Sequence, residues 1–212
     1  MRDGVVVAVD SPGSPGAETL LLSSGKIEEK DWTKALVESV ESRSLQAALV
    51  AMGIITTAQV QDIVTTAVHD GAFAVAAGDI ERCVVDESID HPLLPAPEGV
   101  AADVLMSETA RRLDALASLP IALSPYRDRV IAVDGAEQGC STAERREIVA
   151  HATGRRTARD MAFALGRGLY PVTVEIALML GDGLLEIAPP ATSFSFSRWG
   201  PAALRPRNAG TG

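Results

Sequence analysis

The chain is poor in aromatic side chains, which make up only 4% of its 212 residues. Hydrophobic residues still account for 47%, so the chain is apolar enough to bury a core, and alanine, valine, leucine and isoleucine must fill it. No apolar run approaches the ~20 residues that a membrane-spanning helix needs, and no segment near the N-terminus has the form of a signal peptide. We therefore expect a cytoplasmic protein without a membrane partner.

Cysteine and histidine are scarce as well. Cys83 and Cys140 lie far apart, which favours two reduced thiols over a disulfide. The three histidines are isolated from one another, and no paired-cysteine or His-Glu-x-x-His spacing is present, so no metal site is predicted. The phosphate-binding loop of nucleotide hydrolases and the Gly-x-Ser-x-Gly turn of serine hydrolases are also absent. These absences favour a non-enzymatic protein without a metal or cofactor.

The charge is unevenly distributed along the chain. Residues 1–120 carry 8 lysines and arginines against 19 acidic residues, whereas residues 121–212 carry 11 against 9. An acidic surface repels nucleic acid, so any role in binding DNA belongs to the second half.

Periodicity predicts an α+β, mostly helical protein in three parts. We expect a small β-hairpin and helical unit over residues 1–120, a winged helix-turn-helix unit over 121–190 and a flexible tail over 191–212. Asp3-Gly4 is a turn signal that precedes a run of valines. Because almost nothing precedes this turn, we expect either a truncated N-terminus or a strand that docks on a partner.

Three further elements are predicted within the first unit. Thr56 and Gln59 form a capping box that begins a helix. Gly78-Asp79 lies between the apolar runs 72–75 and 80–85 and predicts a β-hairpin. A long helix is expected over residues 101–118.

The second unit shows a succession of helix start and stop signals. Ser141 with Glu144 and Thr157 with Asp160 are capping boxes, Gly166 ends the second helix, and Pro171 begins a third. A strand is predicted at residues 130–133 before the helices and another at 184–187 after them. Three short helices followed by a strand are typical of a winged helix.

Two short motifs strengthen this interpretation. Ala162 and Gly166 have the Ala-x-x-x-Gly spacing that lets two helices cross closely at a turn. Gly183-Leu184-Leu185 occupies the place of the step that opens a wing. Over about residues 141–188 the chain resembles the MarR-like bacterial winged-helix regulators, and this resemblance implies DNA binding.

The first unit resembles the PATAN-like family of bacterial signalling domains over about residues 1–118. The resemblance is carried by short motifs, which are Arg2-Asp3-Gly4-Val5-Val6, Leu20-Leu21-Leu22 with Gly25-Lys26-Ile27, Met52-Gly53-Ile54-Ile55-Thr56-Thr57, and Asp70-Gly71-Ala72-Phe73-Ala74-Val75 followed by Gly78. The family's opening strands are missing here. The resemblance implies a non-enzymatic adaptor that binds a partner, and it supplies no catalytic residues.

Two sets of residues are candidates for these roles. The predicted DNA-binding residues are Arg155, Arg156, Arg159 and Arg167 as phosphate contacts, with Tyr170 and Thr173 as readers of bases. The predicted partner-binding residues are Val172, Ile176 and Met179 on an apolar outer face of the third helix, and Phe194, Phe196 and Trp199 in the tail. The tail aromatics either cover part of the domain or form a docking motif.

Two functions follow from these candidates. The first is a non-enzymatic transcriptional regulator that binds DNA through its C-terminal unit. The alternative is an adaptor in a bacterial signalling pathway that dimerises or binds a protein partner without touching DNA. The third helix contains no cation, which favours the alternative, whereas the nearby arginines favour the first.

Overall fold

The computed structural model describes residues 4–80 and 92–189. Its architecture is α+β and mostly helical, as predicted from the sequence. Among the helices in these ranges, none combines the length and the apolar composition that crossing a bilayer requires.

The first unit is built mainly from helices. Its elements are β1 (Val5–Val6), α1 (Ala17–Leu22), α2 (Glu29–Ser42), α3 (Leu45–Ala51), α4 (Thr57–Ala77), β2 (Val100–Ala101) and α5 (Ala102–Ala117). The predicted Thr56–Gln59 capping box begins α4, and the long helix predicted over residues 101–118 is α5. Strand β1 pairs antiparallel with β2, so its partner comes from the far end of the unit.

The first strand of the β-hairpin predicted around Gly78 is wrong, because residues 72–75 are part of helix α4. Phe73 and Ala74 are 0% and 3% exposed, and they pack in the core of the second unit. A short apolar run buried on most sides has the same pattern in a helix as in a strand, so periodicity alone could not separate the two. Most of the predicted second strand, residues 81–85, lies outside the described ranges.

The second unit places a small sheet against helices. Its elements are β3 (Arg129–Ala132), α6 (Ala136–Gly139), α7 (Ala143–His151), β4 (Thr153–Thr157), α8 (Ala158–Leu165), α9 (Leu169–Gly181) and β5 (Leu185–Ile187). The strand order is β4-β3-β5, and β3 is antiparallel to both neighbours. The central strand therefore comes from before the helices, and β5 pairs with it.

Two helix starts in this unit differ from prediction. Helix α7 is capped by Thr142, whose hydroxyl accepts a hydrogen bond from the backbone N–H of Arg145 at 3.2 Å, and Ser141 has no such role. Helix α9 begins at Leu169, two residues before Pro171. Proline is tolerated there because the first N–H groups of a helix have no partner within it.

The buried side chains form two cores. One core contains residues of α1 to α3, the first two-thirds of α4, and Leu105 of α5. The other contains the interior of the second unit together with Phe73 and Ala74, with Leu113 and Leu116 packed against it. Helices α4 and α5 thus extend from one core to the other, and the boundary at residue 120 stays a prediction.

Candidate functional site

Helices α8 and α9 are consecutive and are joined by a turn at residues 166–168. The predicted capping box that begins α8 is confirmed: the Asp160 N–H donates to the Thr157 hydroxyl at 3.2 Å, and the Thr157 N–H donates to the Asp160 carboxylate at 3.0 Å. Gly166 follows the helix with a φ of 59°. A Cβ at Gly166 would overlap the backbone of Ser23 and Ser24, so the turn rests directly against the first unit.

The predicted orientation of α9 is wrong. Val172, Ile176 and Met179 were expected on an outer apolar face, but each is 0% exposed and belongs to the core of the second unit. Val174 and Leu178 are instead the more exposed apolar pair of the helix, and Leu178 is 36% exposed. Because every residue of α9 except Thr173 and Glu175 is apolar, aromatic, proline or glycine, its sequence does not reveal which face turns inward.

The two polar readers predicted on α9 are also placed differently. Thr173 is 0% exposed, and its hydroxyl donates to the carbonyl oxygen of Leu169 at 2.7 Å. Tyr170 packs its ring edge-on against Phe73, with ring centroids 5.2 Å apart, and lies beneath the guanidinium of Arg112. In this arrangement Thr173 cannot reach a base edge, and the ring of Tyr170 is held against the first unit.

The surface that α9 turns outward is apolar with one anion. Pro171, Val174 and Leu178 lie there with Glu175. Arg145 of α7 binds the Glu175 carboxylate at 2.5 Å and that of Asp182 at 2.8 Å. These hydrogen bonds raise the pKa of Arg145, and they link α7 to Glu175 of α9 and to Asp182 just after that helix. A helix face of this composition does not attract a phosphate backbone.

Arg159, one of the four predicted phosphate contacts, is used within the protein. Its Nε donates to the carbonyl oxygen of Pro12 at 2.8 Å, and its guanidinium lies 5.1 Å from the ring centre of Phe163. The carboxylate of Asp160 is 3.5 Å away. Arg159 therefore ties α8 to the loop that precedes α1.

The other three arginines differ in their exposure. Arg155 is exposed on β4, whereas its neighbour Arg156 is partly buried and contacts the ring of His151. Arg167 is partly buried in the turn between α8 and α9, and within the described ranges one of its terminal nitrogens is buried without a hydrogen-bond partner. Of the four arginines, Arg155 is exposed and the other three are partly buried. Although they are close in sequence, they do not form one common phosphate-binding face. Phe194, Phe196 and Trp199 lie outside the described residues.

An open cleft of about 1140 Å³ lies between residues 11–13, the end of α4 and residues 124–127. The Tyr126 hydroxyl donates to the carbonyl oxygen of Ala74 at 2.6 Å, and burial raises the pKa of Tyr126. Arg127 forms an ion pair with Asp79 at the rim. Tyr126, Arg127 and Arg159 of the cleft lining are thus all engaged with groups of the protein itself.

A buried polar contact lies where α4, α5 and α9 meet. Asp70 of α4 is 0% exposed, yet it carries a carboxyl group in the interior. Its Oδ1 accepts a hydrogen bond from Arg112 of α5 at 2.9 Å and one from the backbone N–H of Tyr170 at 3.4 Å. Helix α9 has Gly168 at its N-cap and no side-chain cap of its own there. Asp70 therefore takes the position of a capping carboxylate, supplied from a different unit.

The electrostatics of this junction are dominated by burial. Burial raises the pKa of Asp70, although Arg112 and the N–H groups of Tyr170 and Leu169 act in the opposite direction. Oδ2 of Asp70 is buried without a hydrogen-bond partner among the described residues. On the outer side, hydrogen bonds from Arg111 and Arg112 lower the pKa of Glu108 to about 2, which keeps a full negative charge beside Arg112.

Sequence reasoning missed Asp70 as a functional candidate. A signal was available, because Asp70 lies three residues after Ala67 and three before Phe73, on the apolar stripe of a helix. A carboxylate on such a stripe requires a buried partner. The sequence gives no indication that this partner is Arg112, 42 residues away.

Comparison with protein-family models, curated proteins and solved structures finds no match to this chain.

Proposed function

We propose that this protein is a non-enzymatic regulatory adaptor that acts through protein contacts, with no direct contact to DNA. The observation that supports this most strongly is the environment of α9. The helix that should read bases in a helix-turn-helix regulator is buried on most sides, and its outward face carries apolar groups and an anion already bound to Arg145.

The contact surface that we propose is the outer face of α2. Val37 and Val40 are 68% and 79% exposed, although both are apolar and one helical turn apart. They face away from the buried side of the helix, where Trp32 and Ala35 contribute to the first core. Apolar residues at i and i+3 on one helix face have the spacing by which helices anchor to a partner.

The partner at this surface is a second copy of the chain. Lys34, whose Nζ also lies 3.8 Å from the Glu38 carboxylate at the surface, precedes Val37 by one turn, Glu41 follows it by one turn, and Lys34 and Glu41 are exposed on the same side of α2. When two copies of α2 pack antiparallel about a two-fold axis, Lys34 of one copy lies beside the partner's Glu41, and the valines meet between these charges. A self-complementary arrangement of this kind is what a symmetric dimer interface requires.

Oligomeric state and DNA binding measured on the same sample test this proposal. We expect light scattering over a range of protein concentrations to show a dimer that persists at high salt, because apolar contacts are not screened. Replacing Val37 and Val40 together with serine should weaken the dimer about 100-fold or more, since four valine side chains leave the interface. The matched control is Val104→Ser with Met106→Ser, which changes two exposed apolar residues of α5.

The competing function makes the opposite prediction with a fluorescent DNA duplex. A phosphate-driven complex weakens steeply as salt rises. Micromolar or tighter binding that falls with salt and is lost when Arg155 and Arg156 are replaced by alanine would establish the DNA-binding function. A monomer at all concentrations would contradict the α2 contact.

A further inference from the structure

The junction of Asp70, Arg112 and Tyr170 joins the two units at the start of α9. Three groups from three helices meet here: a carboxylate from α4, a guanidinium from α5 and the first turn of α9. Neither α4 nor α5 is part of the helix-turn-helix pair. The N-terminal turn of α9 is thus completed by residues of the other unit.

The Asp70 carboxyl group lies in close contact with the backbone of Gly168. A Cβ on Gly168 would overlap Oδ2 of Asp70, so glycine at the N-cap is what permits the carboxylate to approach the end of the helix. Gly168 has a φ of −60°, which any residue adopts, so the requirement for glycine here is space and not backbone conformation. Thr157, by contrast, caps α8 from its own sequence neighbourhood.

We propose that Asp70 is a coupling device, through which a movement of α5 against α4 in the first unit is transmitted to the first turn of α9. Arg112 is the middle member of the chain. It is held on its outer side by Glu108, at 2.8 Å, and on its inner side by Asp70, at 2.9 Å. A contact that displaces α5 therefore moves Arg112, changes the hydrogen bonds of Asp70, and loosens the Tyr170 N–H group. This device goes beyond the adaptor function and does not depend on the α2 interface.

Hydrogen exchange of individual backbone amides in the full chain tests the first step. We expect Asp70→Ala to speed exchange of the Tyr170 amide about tenfold or more, because its hydrogen bond to the Asp70 carboxyl group is lost. Exchange at Ile148 of α7, in the same core, should change much less. Asp70→Asn keeps a side-chain oxygen for the same N–H group and should restore most of the protection.

The second step concerns Glu108 of α5, which accepts a hydrogen bond from Arg112 at 2.8 Å. Glu108→Gln weakens the outer anchor of Arg112, so it should speed exchange at Tyr170 a few-fold in the protein that has Asp70, and should have no effect at Tyr170 in the Asp70→Ala variant. Arg127→Gln, which breaks the exposed ion pair with Asp79, is the matched control and should leave Tyr170 unchanged.

The proposal is overturned by either of two results. One is an equal acceleration at Tyr170 and Ile148 in both Asp70 variants, which would show a purely structural role in global stability. The other is an effect of Glu108→Gln that is the same with and without Asp70. If Asp70→Ala does not fold, the Glu108 comparison is made between the natural chain and Asp70→Asn, where the effect should be clearly reduced.

Discussion

Replacing Ile176 with alanine is expected to lower the free energy of unfolding by about 3 kcal/mol, within the range of roughly 2–5 kcal/mol for deletion of a buried branched side chain. Ile176 is 0% exposed in the middle of α9 and packs in the core of the second unit. The loss combines the transfer of its side-chain carbons to water with the cavity that remains. Urea unfolding at unchanged slope measures the difference.

Leu178→Ala is the matched control on the same helix. This substitution removes the same number of side-chain carbons as Ile176→Ala. Because Leu178 is 36% exposed, we expect it to lower the free energy of unfolding by less than about 1 kcal/mol. The two substitutions together determine which way α9 is turned. A larger loss for Leu178 than for Ile176 would restore the orientation predicted from the sequence, with Val172, Ile176 and Met179 outside.

The second large effect is expected at Gly166, where alanine should cost about 3 kcal/mol. Two penalties add there. The φ of 59° is unfavourable for an L-residue by about 1–2 kcal/mol. The new Cβ would also lie 2.5 Å from the carbonyl carbon of Ser23. The backbone must shift to relieve this overlap, at a cost in stability of about 1–3 kcal/mol.

Gly183→Ala separates these two penalties. Gly183 also has a positive φ, of 72°, but no atom lies within 4 Å of the position of a Cβ. It should therefore show the conformational penalty alone, about 1 kcal/mol. Equal losses at both glycines in thermal or urea unfolding would mean that the turn between α8 and α9 does not press against the end of α1.

Local chemistry allowed several elements to be predicted from the sequence. The capping boxes at Thr56 and Thr157, the end of α8 at Gly166 and the extent of α5 were all predicted correctly. The two capping boxes depend on side chains that bind a backbone group three residues away, and the end of α8 depends on a glycine that can adopt a left-handed conformation, whereas α5 follows from its periodicity. Such features are present in the sequence whatever the rest of the chain does.

The candidate site was less predictable than these elements. Four arginines between residues 155 and 167 were expected to form one phosphate-binding face, but Arg159 binds Pro12 and Arg156 contacts His151. A charged side chain selects its partner from everything that the fold brings near it. The resemblances to winged-helix regulators and to PATAN-like domains, and the division at residue 120, stay predictions.

The sequence by itself determined where α4 and α8 begin, where α8 ends, the extent of α5, the mostly helical α+β class, and the largely apolar composition of α9, which has Glu175 as its one charged residue. Only the tertiary structure decided which face of α9 is inside, that α4 continues through Phe73 into the second core, and that Asp70 pairs with Arg112. The physical reason is the range of the interactions. Caps act over one helical turn, whereas the burial of a nearly uniform apolar helix and the partner of a buried charge depend on residues up to a hundred positions away, as in the contact of Asp70 with Tyr170.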